Sequence, residues 1–436
     1  MEWWMILLAF VPSLIVVMFT GMPIAIGFFA INLVAMSMFM GGEQGLNQLV
    51  LSIYDSLAKF SLAPIPLFIF MGEILFQTKI AKRIIDVLDN WLGSLPGRLS
   101  ILSIFAGMIF GALSGSNMAN TALLGSVLGP EMKEKGYHKS MIAGPILASG
   151  GLAMMIPPSS LMVVYASIAK LSVAKMLIAG LLPGILMGIN YILYTVIRCK
   201  LNPTLAPKYY REKKSSKEKL DDFVRILLPA GLLIFMVTGS IFVGVATPTE
   251  AAGLGSLGAI LIAISYKEFN IKVFLKSTRE TVKITAMIFI IIAGAAAFSQ
   301  FLGFSGATRG LVNFALGLDI SPFALMIAML AIVVFLGCIM DQIPIIMICA
   351  PLFLPIIIEL NFDPIWFSIL FIIALEIGLT TPPFGVNIFV MKGVMDSETT
   401  VVDLYKAGFP YVLCDVCSMI IIMLIPAIAV GLPNLL

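Results

Sequence analysis

Apolar positions in this chain form long unbroken stretches rather than the one-faced or alternating patterns of a protein folded in water. Stretches near 3–20, 22–40, 60–78, 141–169, 176–197, 226–245, 248–266, 284–302, 365–391 and 408–432 are each long enough to cross about 30 Å of hydrocarbon as a helix, which predicts ten crossings. Two more, 99–130 and 321–358, are too long for one span. Ser114-Gly115-Ser116-Asn117 interrupts the first near its middle, and Asp341-Gln342-Ile343-Pro344 the second. Each is predicted to be a re-entrant hairpin, because non-helical backbone survives at membrane depth only where protein or water satisfies it.

Shifting the chain by 225 residues lays Pro23 on Pro248, Pro130 on Pro355, and Pro157-Pro158 on Pro382-Pro383. The order of elements repeats as well: three spans, a hairpin, a span broken at a double proline, and a last span. Five crossings per copy is odd, so the second copy must enter the bilayer from the opposite face. This predicts an all-α membrane protein of inverted-topology repeats, a plan that brings hairpin tips and broken helices together near the midplane. The first repeat is 1–197, with hairpin 99–130, broken helix 141–169 and last span 176–197. A linker, 198–225, follows, and the second repeat is 226–436, with hairpin 321–358 and broken helix 365–391.

Composition agrees with a bilayer protein: the 436 residues are 60% hydrophobic and 12% charged, with mean hydropathy +1.06. A net charge of +3 gives no reason to expect nucleic acid as a partner. Under the hairpin assignment, every Lys and Arg except Lys59, Lys170, Lys175 and Arg309 falls on one side, including the linker run Lys208, Arg211, Lys213, Lys214, Lys217 and Lys219. By the positive-inside rule that side is cytoplasmic and the N-terminus periplasmic. Met1-Glu2-Trp3-Trp4 lacks the basic start of a removable signal, so the first stretch is expected to remain as a span. Cys414-x-x-Cys417 lies inside an apolar run and suits packing rather than redox chemistry, His138 has no second histidine to pair with, and no Walker A pattern occurs.

The chemistry should sit at the breaks, where an interrupted helix exposes carbonyls at one end and amides at the other. Ser114, Ser116 and Asn117, with Asn120 and Thr121 nearby, offer neutral oxygens and amides to a cation or an anion. In the second hairpin Gly337, Asp341 and Gln342 form the tip. A carboxylate at that depth is a functional candidate, and Asp341 reads as a Na⁺ ligand or as the cap of a half helix. Pro157-Pro158-Ser159 and Thr380-Thr381-Pro382-Pro383 remove backbone donors and free carbonyls. Glu73, Glu250, Glu376 and Asp415 are expected to face the interior with local partners rather than to carry protons.

The stretch Glu376-Ile377-Gly378-Leu379-Thr380-Thr381-Pro382-Pro383-Phe384-Gly385-Val386-Asn387, with Gly111-Ala112-Leu113-Ser114-Gly115-Ser116 and Ile156-Pro157-Pro158-Ser159, resembles the large membrane subunit of tripartite ATP-independent periplasmic (TRAP) transporters of the dicarboxylate and sialic acid type. The resemblance spans nearly the whole chain. It implies an ion-transporter-superfamily fold with a scaffold and an elevator domain, and Na⁺-coupled uptake across a bacterial inner membrane. It also implies a separate small four-helix membrane subunit and a periplasmic binding protein that delivers the substrate.

By position, Ser114, Ser116, Asn117, Pro157 and Pro158 resemble one Na⁺ site, and Gly337, Asp341, Gln342, Thr380, Thr381 and Pro382 another, so two or more Na⁺ are expected. The substrate anion would lie near Ser116, Asn117, Ser159, Pro383 and Asn387. No Lys or Arg is assigned to a span at this pocket, which favours a monocarboxylate such as sialic acid over a dicarboxylate. A carboxylate transporter working without a binding protein is the nearer alternative. A membrane hydrolase using Asp341 and Glu376 would leave the duplicated breaks without purpose.

Overall fold

A computed structural model describes residues 2–20, 22, 24–78, 80–93, 95–207 and 215–436; Met1, Pro23, Lys208, Arg211, Lys213 and Lys214 of the sequence reading lie outside them. The described residues are helices joined by short turns, with no strand among them. Seven single helices are long and apolar enough to cross a bilayer, and Lys139–Met155 with Ser160–Ala169, bent by 47°, makes an eighth. Trp3–Phe19, Ile24–Phe39 and Pro364–Leu379 are shorter.

The helix bounds repeat at the offset of the prolines. Asn117–Glu134 becomes Gln342–Glu359, displaced by 225 at both ends, and Lys139–Met155 becomes Pro364–Leu379, displaced by 225 at its start and 224 at its end. Hydrogen bonds cross between the halves in a reciprocal way. Buried Asn32, on Ile24–Phe39, donates to the Gly294 carbonyl at 2.7 Å, and Ser256, on Pro248–Ser265, donates to the Leu67 carbonyl at 2.8 Å. The second arm of each hairpin packs against the far half of the other copy's broken helix: Asn117–Glu134 on Val386–Val394, and Gln342–Glu359 on Ser160–Ala169. At 1.5 Å rise per residue each hairpin arm is about 25 Å long, so the arms reach well past half a bilayer unless they tilt. Gln342–Glu359 is itself among the seven span-length helices.

Several elements differ from the sequence reading. Glu43–Leu57, Ile80–Trp91 and Ala307–Leu316 are helices that no continuous apolar run marks. Ile80–Trp91 buries Ile80, Ala81, Ile84, Ile85 and Val87 and leaves Lys82 and Asp86 exposed, the spacing of an amphipathic helix, while its buried Asp89 is paired with Arg98 at 2.6 Å. The span near 284–302 is the end of a single 34-residue helix, Ile271–Phe304, whose charged first half continues the same hydrogen-bond ladder. Part of the linker is helical, as Ser216–Asp222, and Leu181–Leu201 runs into the linker's start.

Ion pairs gather the loops at one end of the bundle. Lys133 meets Asp396 at 2.7 Å and Lys139 meets Asp403 at 3.6 Å, while Arg83 holds Glu268 at 3.0 Å. Lys170 caps the far end of the broken helix that Lys139 begins. Hydrogen bonds from Lys133, then from Thr399, hold the Asp396 carboxyl down to about 2 from its ordinary 3.8. A carboxyl lowered on folding adds stability that is complete above its unfolded value and lost as pH falls through its folded one. The melting-temperature gap between the wild type and Asp396→Asn should therefore be constant above about pH 4 and close as the pH is brought toward 2.

Candidate functional site at the two breaks

At the first tip, Arg98–Ser114 ends on Gly115, whose φ of 61° is left-handed, and Asn117–Glu134 begins behind Ser116. Ser116 Oγ accepts from the Ala119 amide at 3.3 Å and so satisfies one unpaired donor of the new helix. Ser114 Oγ accepts from the Ser116 amide at 3.4 Å. A Cβ on Gly115 would stand 2.8 Å from the Ser160 nitrogen, and Ser160 Oγ donates to the Gly115 carbonyl at 3.0 Å. The tip therefore rests on the break, where Pro157-Pro158 is cis and fully buried Ser159 caps Ser160–Ala169.

The second tip is built the same way. The Cys338 carbonyl accepts from the amides of Phe384 and Gly385 at 3.1 and 3.2 Å, just past the cis Pro382-Pro383 bond. Gly337 and Gly378 cross backbone to backbone: a Cβ on Gly378 would lie 2.7 Å from Gly337 Cα. Thr380 Oγ1 donates to the Glu376 carbonyl at 2.9 Å and Thr381 Oγ1 to that of Ile377 at 2.5 Å. These bonds use the hydroxyl protons and leave oxygen lone pairs.

Asp341 stands where Ser116 stands, 225 residues on, before the first residue of the second arm. Unlike Ser116, it makes no side-chain capping bond, so the capping alternative is not realised. Its Oδ1 and the Oε1 of Gln342 are buried with no hydrogen-bond partner. A buried acceptor without a donor costs roughly 1–3 kcal/mol, more if charged. A hard cation removes that cost, because such ions take oxygen ligands. Among the described residues no three His, Cys, Asp or Glu side chains cluster as for a transition metal. The donor set at this tip is one carboxylate with neutral oxygens, which fits a monovalent hard ion.

Asn117 departs from the grouping the sequence suggested. Its Nδ2 donates to Glu376 Oε2 at 2.7 Å, joining the first tip to the helix before the second break. Glu376 is 1% exposed, and a Cβ on Gly151 would meet its Cδ at 2.4 Å. A Cβ on Gly150 would meet Asn117 Oδ1 at 2.3 Å, Thr121 Oγ1 at 2.5 Å and Asn387 Nδ2 at 3.0 Å. Asn117, Thr121, Glu376 and Asn387 thus converge over a pair of glycines. Glu376 and Asp415 are interior, as expected, but their partners are remote rather than local: Asn117 is 259 positions from Glu376, and the Tyr191 hydroxyl donates to Asp415. Glu73, half-buried, and Glu250 do have local partners, Gln77 and Thr247, but Glu250 is exposed rather than interior, because it closes the capping box at the start of Pro248–Ser265. The signal for the cluster lay in the offset, since Gly151 and Glu376 are also 225 apart.

A thermal-unfolding double-mutant cycle on Asn117→Ala and Glu376→Ala should give a coupling of about 0.5–1.5 kcal/mol, the range for a side-chain hydrogen bond. Additive single effects would show that the two side chains do not support each other.

A cavity of about 300 Å³ opens beside the second break, lined by Thr380, Thr381, Pro382, Tyr405 and Lys406. The Tyr405 hydroxyl is shared between the carbonyls of Pro383 and Phe384, at 2.7 and 2.9 Å. Lys406 corrects the sequence reading. The last long helix, Val401–Leu424, starts before 408 and carries a cationic side chain to this pocket.

The family model described as "Tripartite ATP-independent periplasmic transporter, DctM component" matches residues 11–428. The C4-dicarboxylate TRAP transporter large permease protein DctM of Pseudomonas aeruginosa is 32% identical over 405 residues, covering 92% of each chain. The sialic acid TRAP transporter large permease protein SiaM of Vibrio cholerae is 26% identical over 380 residues, covering 87% of each. Among solved structures, the YdaH transporter of Alcanivorax borkumensis, described as having an unusual topology, aligns with a TM-score of 0.64 at 16% identity, covering 90% of this chain and 91% of that one. That last likeness is one of fold.

Proposed function

Since this chain belongs to the tripartite ATP-independent periplasmic transporter DctM family, and is thus a multi-pass membrane permease rather than an enzyme, we propose that it takes up an organic anion of the C4-dicarboxylate class by Na⁺-coupled transport. The observation that carries the Na⁺ reading is the pair of buried, unpartnered acceptors Asp341 Oδ1 and Gln342 Oε1 beside the second break. Na⁺ bound there and at the Ser116–Ser159 break would offset the charge of a carboxylate between the tips. Ion and anion then favour each other's binding, because each lowers the electrostatic cost of the other in a poorly polarisable cavity.

The two hairpins, the two broken helices and the last helix of each half form the moving body in this reading, and the remaining long helices form the scaffold. Reciprocal packing of each hairpin on the other copy's broken helix supports motion of that body as one unit. The N-terminus is periplasmic. The other two parts of the tripartite assembly are a small four-helix membrane subunit and a periplasmic binding protein that presents the anion.

Lys406 favours a dicarboxylate, since it supplies the point charge for a second carboxylate beside Thr380 and Thr381. Proteoliposomes holding both membrane subunits, given the binding protein, should accumulate succinate under an inward Na⁺ gradient. Lys406→Gln should raise KM for the dicarboxylate about tenfold or more, as expected for losing a charged hydrogen bond. A monocarboxylate should be carried with little change. Equal effects on both would remove Lys406 from the anion site.

A further inference from the structure

A second cavity, of about 460 Å³, lies away from both tips, between the helices Glu43–Leu57 and Ile271–Phe304 on one side and the end of Ser160–Ala169 on the other. Lys59 and Lys170 face it, and neither is in an ion pair among the described residues; Asp55 is the one acid on its wall. Ser52, 7% exposed, lines the cavity with an Oγ that has no hydrogen-bond partner. Gln300 adds an amide, and Ala295, Ala296 and Gly303 leave the floor open.

We propose that this cleft is an anteroom that holds a small organic carboxylate before it reaches the tips, with Lys59 and Lys170 taking its charge and Ser52 and Gln300 its remaining oxygens. The volume lies within the range of small-molecule sites. The two lysines against one aspartate leave a net positive charge in a walled space, where field lines are focused and an anion is concentrated. Lys170 sits ten residues beyond Ser160, about 15 Å along the helix from the first break, so the cleft stands roughly half a hydrocarbon thickness from the tips. Its walls belong to both the scaffold and the proposed moving body, and occupancy would change as they slide. The inference rests on the transport reading and on Lys59 and Lys170 facing the periplasm.

The test uses the chain assembled with its small subunit in phosphatidylcholine vesicles, with S299C as a thiol on the cleft wall and a membrane-impermeant maleimide outside. Succinate or acetate at twice its dissociation constant should slow labelling about threefold, the mass-action result for one site, whereas equal ionic strength of chloride should not. K59Q combined with K170Q should abolish the protection.

Unchanged labelling with either acid, or protection that survives loss of both lysines, overturns the proposal. So does labelling only from the lumen, which would reverse the orientation. Protection appearing on adding anionic lipid without any acid assigns the cleft to a headgroup and overturns the cargo role. The comparison of succinate with chloride needs no lysine variant, so misfolding of K59Q/K170Q leaves a decisive measurement. Na⁺-driven uptake in the same vesicles separates the two readings: uptake without protection removes the anteroom alone, and loss of Na⁺ dependence removes the transport reading beneath it.

Discussion

Asp341→Ala is expected to raise the Na⁺ concentration needed for half-maximal uptake about a hundredfold. Removing one member of a buried charge pair costs roughly 3 kcal/mol or more, and each 1.4 kcal/mol is tenfold in affinity. Asp341 Oδ1 is buried without a protein donor, so the side chain is not held in place by a capping bond that would explain it structurally. Its counterpart offers an internal comparison. Ser116→Ala removes a cap used by the Ala119 amide and should cost about 1 kcal/mol of stability. Asp341→Ala should leave the melting temperature in Na⁺-free buffer nearly unchanged or higher, and should remove the increase that Na⁺ gives to the wild type. Equal Na⁺ dependence in the variant would take Asp341 out of the coupling site.

Gly378→Val should have the largest effect on the folded state. The atoms nearest its missing Cβ are Gly337 Cα and the Val334 carbonyl oxygen, both at 2.7 Å, and Gly337 C at 3.0 Å. All are backbone, so no side chain can rotate away, and the helices Pro322–Gly337 and Pro364–Leu379 must part. Overpacking even by a methyl costs about 1–3 kcal/mol, and valine adds more. Parting the helices would also draw the Cys338 carbonyl away from the Phe384 and Gly385 amides, opening the second tip. Gly393→Ala is the control: nothing lies within 4 Å of its added carbon. Thermal unfolding in detergent should show a clear fall for Gly378→Val and none for Gly393→Ala; equal stability would mean that the crossing is not close packed.

The breaks were legible because helix cannot continue through their residues. Gly115 takes a left-handed φ, and the paired prolines at 157–158 and 382–383 lack amides, so the interruptions fall where composition places them. The offset of 225 was legible through the same residues, since the prolines recur at the spacing that separates Asn117–Glu134 from Gln342–Glu359. Helices such as Ile80–Trp91 were not, because their apolar residues recur every third or fourth position and never form a run. Ile271–Phe304 was cut short for a related reason: Lys276, Arg279, Glu280 and Lys283 end the apolar run without ending the helix. Partnerships between the halves were beyond sequence reasoning. Nothing local in Asn117 or Glu376 says that the two side chains meet, and Lys406 joined the pocket only through the early start of its helix.

Simultaneous counting of labelled succinate and ²²Na⁺ entering vesicles that contain both membrane subunits, supplied with loaded binding protein, bears most directly on the proposed coupling of ion and anion at paired breaks. More than one Na⁺ entering with each anion, and no accumulation when K⁺ replaces Na⁺, is the predicted result. Succinate accumulation with no accompanying Na⁺ entry would contradict it.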